Sequence, residues 1–123
     1  MDSALKILAV DNQATVRLSF QYIFDGPKYA VTTVENGGAA LAKLDTDAKA
    51  YDVIIVDQKM PDLTGLELVR AIRKRDVSGK ILVVSAHLSS DIRAAFEQLD
   101  VHGIFAKPFD IAQLRLAVDR LAA

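Results

Sequence analysis

Four short apolar segments of this chain each end in polar residues that could carry phosphoryl chemistry. In chain order, the residues at these ends are Asp11 with Asn12, Asp57, Ser85 and Lys107. If the segments are parallel strands of one sheet, the five side chains share the edge at the carboxyl ends of the strands, where ligands bind in open α/β sheets. Two carboxylates, an amide, a hydroxyl and an ammonium at one edge can bind a cation and accept a phosphoryl group.

The rest of the pattern must place these residues, and it alternates between short apolar segments and longer amphipathic ones. We predict strands near 5–10, 30–35, 51–56, 80–85 and 103–106, and helices near 13–25, 37–45, 64–75, 89–99 and 110–121. Strand–helix units in series predict an α/β fold with a parallel sheet and right-handed crossovers. The second strand is the most polar and suits an edge, which predicts the doubly wound order 2-1-3-4-5.

Residues at the helix starts supply capping groups. Ser89 and Asp110 are suited to cap the fourth and fifth helices. Asn12 could cap the first helix, either in addition to binding a ligand or in place of it. The fourth helix repeats apolar residues at helical spacing, and we expect this stripe to be buried. The fifth helix has the same spacing, in Ile111, Leu114, Val118 and Leu121.

Composition limits the possible functions. A chain of 123 residues predicts a single domain, 1–123, and its lack of cysteine excludes disulfides and thiolate metal sites. Its net charge of −1 argues against direct nucleic-acid binding. No apolar segment is long enough to span a membrane, and the first residues do not resemble a signal peptide. We therefore expect a soluble protein of the cytoplasm.

Asp11, Asn12 and Asp57 follow strands that are neighbours in the predicted order. Oxygen ligands without histidine or thiolate suit a hard cation such as Mg²⁺. The carboxylate of Asp57 could then act as a nucleophile toward phosphorus. In this scheme Mg²⁺ and the Lys107 ammonium neutralise the phosphoryl group, and the Ser85 hydroxyl donates to a third oxygen.

The same residues carry a family resemblance. The segment 57–65, DQKMPDLTG, matches the D-x-x-M-P-x-x-x-G pattern of response-regulator receiver domains. Val10-Asp11, Ser85-Ala86 and Lys107-Pro108-Phe109 match the other motifs of that family, in order and at its spacing. The chain therefore resembles the receivers of two-component phosphorelays, which include the chemotaxis regulators, over its whole length.

This resemblance implies a flavodoxin-like (βα)5 fold and a phosphoryl acceptor at Asp57. The donor would be a histidine kinase or a histidine phosphotransfer protein. By the same comparison, Asp11, Asn12 and Asp57 would bind the Mg²⁺ cofactor together with the backbone carbonyl of Lys59. The domain would be a signalling module rather than an enzyme, with only self-catalysed phosphotransfer and autodephosphorylation.

The resemblance also implies an output mechanism. Lys107 would bind the phosphoryl group and precede a cis bond to Pro108, and Ser85 would be the switch hydroxyl. Phosphorylation would change the face formed by the fourth helix, the fifth strand and the fifth helix. That face would bind a downstream effector protein or domain, and it could also pair two copies of the chain as a homodimer.

Two positions depart from the family pattern. Asn12 stands where the family has a second acid, which predicts weaker Mg²⁺ binding. Ile104 occupies the switch position, where the family has Tyr or Phe, and Phe105 should face the other side of the sheet by alternation. These departures support an alternative, a pseudo-receiver that binds proteins with little or no phosphorylation.

Other interpretations stay open at the level of sequence. His87 lies near the predicted site, where it could control water access or be a solvated loop residue, and His102 is predicted to lie in a loop. An enzyme on the same fold is a third class. A haloacid-dehalogenase-type phosphatase would need an acid at Lys59, and a dinucleotide-binding enzyme would need glycines after the first strand.

Overall fold

The computed structural model describes residues 3–122, which form alternating strands and helices. The strands are β1 (Leu5–Val10), β2 (Tyr29–Val34), β3 (Val53–Val56), β4 (Lys80–Ser85) and β5 (Gly103–Ala106). The helices are α1 (Ala14–Ile23), α2 (Gly37–Thr46), α3 (Gly65–Arg73), α4 (Ser90–Gln98) and α5 (Ile111–Ala122). None of the helices within 3–122 is long and apolar enough to cross a bilayer.

The strands form one parallel sheet in the order β2-β1-β3-β4-β5, which confirms the predicted flavodoxin-like topology with β2 at an edge. Val10 at the end of β1 is paired with Val56 at the end of β3. Ser85 at the end of β4 is paired with Ala106 at the end of β5. The chain therefore leaves these four strands at the same edge of the sheet, and the candidate functional residues follow there.

Helices cover both faces of the sheet, and successive residues of each central strand point to opposite faces. In β1, Leu8 and Val10 pack on the side of α2, α3 and α4, whereas Ile7 and Ala9 pack on the side of α1 and α5. The predicted stripe of α4 is part of the core, where Phe96 is fully buried. Burial on both faces explains why the central strands are continuous apolar segments.

Capping residues fix where helices begin. Ser89 accepts the Ile92 N–H at 3.2 Å, and Asp110 accepts the Gln113 N–H at 3.0 Å, as predicted. The predicted ranges of α1, α3 and α4 included their caps, so each observed helix begins one residue later and ends one or two residues earlier. Ile111, the first residue of the apolar spacing in α5, is 48% exposed at the first turn of that helix.

The third strand begins at Val53, two residues later than predicted. Before Val53 the Lys6 N–H donates to the Asp52 carboxylate at 2.8 Å rather than to a backbone carbonyl, and the Asp52 N–H donates to the Lys6 carbonyl at 2.8 Å. The regular ladder between β1 and β3 therefore starts only at the pair formed by Ile7 and Val53.

Candidate functional site

Three of the candidate residues are withdrawn from solvent at the edge of the sheet. Asp11, Asp57 and Ser85 are buried at the ends of β1, β3 and β4. The side chain of Lys107, after β5, is 14% exposed. Two carboxylates and one ammonium are thus held together in a partly desolvated setting, where unpaired charge is costly.

The Lys107 ammonium lies between the two carboxylates. Its Nζ is 2.7 Å from Oδ2 of Asp11 and 3.5 Å from Oδ2 of Asp57. Burial raises the pKa of the Asp11 carboxyl above its ordinary value, and the nearby Asp57 adds to this, while the Lys107 hydrogen bond opposes it. The ammonium therefore offsets a repulsion that the fold imposes on the two acids.

Backbone amides orient the other acceptors of the site. The Gln58 N–H donates to Oδ1 of Asp57 at 2.8 Å. The Ser85 hydroxyl oxygen accepts the N–H groups of His87 at 3.1 Å and of Gln58 at 3.4 Å. The two bonds to the Ser85 oxygen hold it beside the Gln58 backbone, next to Asp57, and leave the hydroxyl proton free to donate.

The segment after β5 holds Lys107 in position. The Lys107 N–H donates to the Ser85 carbonyl at 3.0 Å, and the bond to Pro108 is cis, as the resemblance implied. The Phe109 ring stacks on Phe20 of α1, with ring centroids 6.0 Å apart. Of these two motif residues, Lys107 therefore lies at the site, and Phe109 packs against the core on the α1 side.

A cavity of about 270 Å³ opens beside Asp57. Its lining residues are Asn12, Gln13, Asp57, Lys59, Ala86, His87 and Lys107. Among these lining residues, all within the described chain, Asp57 is the one carboxylate. The hard oxygen donors at this edge fit Mg²⁺, although no cluster of three acidic or histidine side chains suited to a metal occurs within residues 3–122.

Asn12 is exposed, and it does not cap α1. The N-cap of α1 is Gln13, which makes no side-chain capping bond. Instead the Asp11 carboxylate accepts the Gln13 N–H at 2.9 Å, and Arg17 donates to the Asp11 carbonyl at 2.8 Å. The capping interpretation of Asn12 is therefore wrong, and its amide remains available at the wall of the cavity.

Gln58 is a residue of this region that the sequence analysis missed. It is 8% exposed, its side-chain oxygen accepts the Leu66 N–H at 3.0 Å, and its carbonyl accepts the Gly65 N–H at 2.9 Å. Together with Thr64, which accepts the Glu67 N–H, it satisfies the free amides at the start of α3. The available signal was a second polar residue, after Asp57, in the short segment between a buried strand and the glycine that begins α3.

Gly65 belongs to the same close packing. A Cβ at this position would overlap the carbonyl oxygen of Asp57 and lie 2.9 Å from the Gln58 Cα. The glycine that closes the D-x-x-M-P-x-x-x-G pattern therefore allows the start of α3 to approach the backbone of the phosphoacceptor candidate.

The side chains of Ile104 and Phe105 face opposite sides of the sheet, as predicted. Ile104 is half-buried against the core on the side of α2, α3 and α4, whereas Phe105 packs on the side of α1 and α5. His87 is exposed at the cavity. His102 lies in the loop before β5, and its Nδ1 accepts the Ile81 N–H at 3.1 Å, at the end of the sheet opposite the site.

Comparison with known proteins decides the family. The model of the response regulator receiver domain matches residues 7–119. The chain belongs to this family. Receiver domains are signalling domains of two-component systems that interact with kinases and effector domains, and phosphorylation and Mg²⁺ use are general features of the family.

Individual relatives agree with this assignment. The receiver is 30% identical over 116 residues to sporulation initiation phosphotransferase F of Bacillus subtilis, a match that covers 94% of this chain and 91% of that protein. It is also 30% identical to the DNA-binding transcriptional regulator NtrC of Salmonella typhimurium, but it spans only 24% of that protein's length.

Solved structures show the same fold. The chemotaxis protein CheY4 of Vibrio cholerae superposes with a TM-score of 0.86 at 30% identity, covering 97% of this chain and 99% of that one. A response regulator receiver protein from Pseudomonas putida superposes with a TM-score of 0.90 at 23% identity, covering 98% of this chain and 99% of that one.

Proposed function

We propose that this receiver accepts a phosphoryl group on Asp57 from the phosphohistidine of a kinase or phosphotransfer protein. In this step the P–N bond of the donor breaks, a P–O bond forms at an Asp57 carboxylate oxygen, and the donor imidazole keeps the electron pair. The observation that carries the proposal is that Asp57 is the carboxylate that lines the cavity, with one oxygen held by the Gln58 amide and the other facing Lys107.

Asp11, Asn12 and Asp57, together with the Lys59 carbonyl, are the groups that would hold Mg²⁺. When bound, the cation supplies charge neutralisation for the phosphoryl oxygens. The Lys107 ammonium would bind a phosphoryl oxygen, because it already lies 3.5 Å from Oδ2 of Asp57. The Ser85 hydroxyl would donate to a phosphoryl oxygen, since its own oxygen already accepts two amides.

Output is proposed to involve the Ser85 loop and α4. Ile104 lacks the ring by which an aromatic switch residue would report on Ser85, and Phe105 packs on the opposite side of the sheet. We infer that the phosphorylated state alters the face formed by α4, β5 and α5, which then binds an effector or a second copy.

The receiver is proposed to act in the cytoplasm. Its lack of cysteine is consistent with that reducing compartment.

The donor protein is proposed to dock over α1. Leu18 and Tyr22 of α1 are 70% and 82% exposed, and with Ile111 they line an apolar groove of about 620 Å³. Lys107 lines both this groove and the cavity at Asp57. A protein seated on the groove would therefore bring its histidine to the phosphoacceptor, which is why we assign the groove to the donor.

The proposal is tested by transfer of labelled phosphate from a phosphohistidine donor to the receiver. We expect Mg²⁺-dependent labelling that disappears in Asp57→Ala. Labelling that persists in Asp57→Ala would assign the phosphate to another residue and overturn the proposal.

The pseudo-receiver is the second candidate, and Asn12 favours it. The exposed amide leaves one formal charge fewer at the cation site, and the Lys107 ammonium is already paired with Asp11. If the wild type stays unlabelled at millimolar Mg²⁺ and Asn12→Asp becomes labelled, the pseudo-receiver is the correct function. Labelling of both, with about tenfold tighter Mg²⁺ binding in Asn12→Asp, supports the phosphorylated receiver.

A further inference from the structure

The Asp62 carboxylate is bound to the start of a helix that is distant in sequence. Its Oδ1 accepts the Gly37 N–H at 3.0 Å, and its Oδ2 accepts the Gly38 N–H at 2.8 Å. Gly37 and Gly38 are the first two residues of α2, and the next free amide, that of Ala39, is accepted by Asn36 at 2.7 Å. Asp62 thus satisfies amides that α2 cannot satisfy itself.

The two glycines allow this close approach. A Cβ on Gly37 would lie 2.9 Å from the Leu63 Cβ, and a Cβ on Gly38 would lie 3.1 Å from Oδ2 of Asp62. Hydrogen bonds from the Gly38, Leu63 and Gly37 amides, the first of them the strongest influence, hold the pKa of Asp62 below its ordinary value. The carboxylate is therefore charged at neutral pH and favourably placed at a helix N-terminus.

Asp62 also belongs to the segment that follows the phosphoacceptor. The segment 57–64, which we call the acceptor loop, runs from Asp57 to the N-cap of α3. Gln58 ties its beginning to α3 through the Gly65 and Leu66 amides. Asp62 ties its far end to α2. Lys59 lies between these two attachments and lines the cavity.

We propose that Asp62 is a positioning residue for the acceptor loop, which it holds against α2 so that the Lys59 backbone keeps its place beside Asp57. This inference rests on the proposed function where it concerns Mg²⁺, because the Lys59 carbonyl is one of the proposed ligands. Residues that orient metal ligands influence metal affinity without touching the metal.

The first test needs no metal and no phosphate. Amide hydrogen exchange of the metal-free protein is measured for wild type, Asp62→Ala, Asp62→Asn and the control Asp45→Asn. Asp45 is a carboxylate of α2 that pairs with Arg75, away from the acceptor loop. We expect exchange at the Gln58 and Gly65 amides to rise about tenfold in Asp62→Ala, less in Asp62→Asn, which keeps one acceptor, and not in Asp45→Asn.

The second test is Mg²⁺ titration followed by amide chemical shifts. The Mg²⁺ dissociation constant should rise about tenfold in Asp62→Ala, with partial recovery in Asp62→Asn. Gly37→Ala, which displaces Leu63 while keeping the Asp62 carboxylate, should weaken Mg²⁺ binding as well.

The outcomes separate this inference from the proposed function. Unchanged exchange at Gln58 and Gly65 in both Asp62 variants would overturn the positioning role, even if both variants were less stable. A wild type that binds no Mg²⁺ would refute the proposed metal site, while faster exchange in Asp62→Ala would still support the positioning of the loop.

Discussion

Lys107 and Asp11 form an ion pair with 2.7 Å between Nζ and Oδ2, which is shorter than the 3.5 Å from Lys107 to Asp57. The ammonium of the resting receiver is thus held mainly by the acid that does not line the cavity. Phosphorylation at Asp57 would have to compete with this pair for Lys107. The resting geometry therefore links the proposed metal ligand Asp11 to the proposed phosphoryl-binding residue.

Replacement of Lys107 by Met should separate the effect of its ammonium on phosphorylation from its effect on Mg²⁺ binding. The variant removes a charge-assisted hydrogen bond, and such bonds contribute about 1.5–3 kcal/mol, so phosphorylation should slow about 10- to 100-fold. Because the ammonium no longer competes for Asp11, Mg²⁺ should bind more tightly. Phosphorylation rates and Mg²⁺ titrations of Lys107→Met, with Lys28→Met as an exposed-lysine control, check both effects. Weaker Mg²⁺ binding in Lys107→Met would contradict the competition.

The exposed surface of α1 predicts a difference between protein and small-molecule donors. Tyr22→Ser should slow transfer from a phosphorylated donor protein about tenfold, because aromatic anchors dominate such interfaces. Transfer from acetyl phosphate should be unchanged, since the small donor needs no docking surface. Leu116→Ser, which removes an exposed apolar residue outside the groove, is the matched control. Equal slowing with both donors would contradict docking over α1.

The buried Gln58 predicts a stability effect at the start of α3. Gln58→Met keeps the size of the side chain but removes the acceptor of the Leu66 N–H. A donor left unsatisfied costs about 1–3 kcal/mol, so the free energy of unfolding in urea should fall by about that amount. The exposed Gln98→Met serves as control and should change stability by less than about 0.5 kcal/mol. Equal stability of the two variants would mean that the Leu66 amide finds another partner.

His102 predicts a pH dependence at the end of the sheet opposite the site. Burial, together with the nearby Lys80 and Arg73 cations, lowers the pKa of His102 from its ordinary value of 6.5. The neutral ring accepts the Ile81 N–H, and a protonated ring cannot. Its contribution to stability is therefore complete above pH 6.5 and is lost as the pH falls through the lowered pKa.

An NMR titration of His102 should have its midpoint below 6.5, and His102→Ala should reduce the loss of stability on acidification. His87→Ala is the control, because the His87 imidazole makes no hydrogen bond within residues 3–122. A His102 midpoint above 6.5 would contradict the bond to Ile81.

Local patterns in the sequence predicted the fold well where burial is uniform. The apolar segments before Asp11, Asp57 and Ser85 are buried on both faces, so their order and their common edge followed from the strand–helix alternation. The later start of β3 was missed because it depends on the bond between Asp52 and Lys6, which lie 46 residues apart.

The site was predicted less completely for the same reason. Asp62 reaches residues 24 and 25 positions away, and no periodicity of the acceptor loop reveals that contact. Lys107 lies closer to Asp11 than to Asp57 because the fold brings together residues that are 96 positions apart in the sequence. The sequence left Asn12 open to capping, to metal binding or to both, and the position of the α1 N-cap at Gln13 excluded capping.

Asp57 is proposed to accept the phosphoryl group in a Mg²⁺-dependent reaction. The most direct test of this proposal is the intact mass of the protein after incubation with acetyl phosphate, with and without Mg²⁺, beside Asp57→Ala and a receiver of known activity. We expect a gain of one phosphoryl group that requires Mg²⁺ and is absent in Asp57→Ala. No gain under conditions that label the known receiver, or a gain that survives in Asp57→Ala, would contradict the proposal.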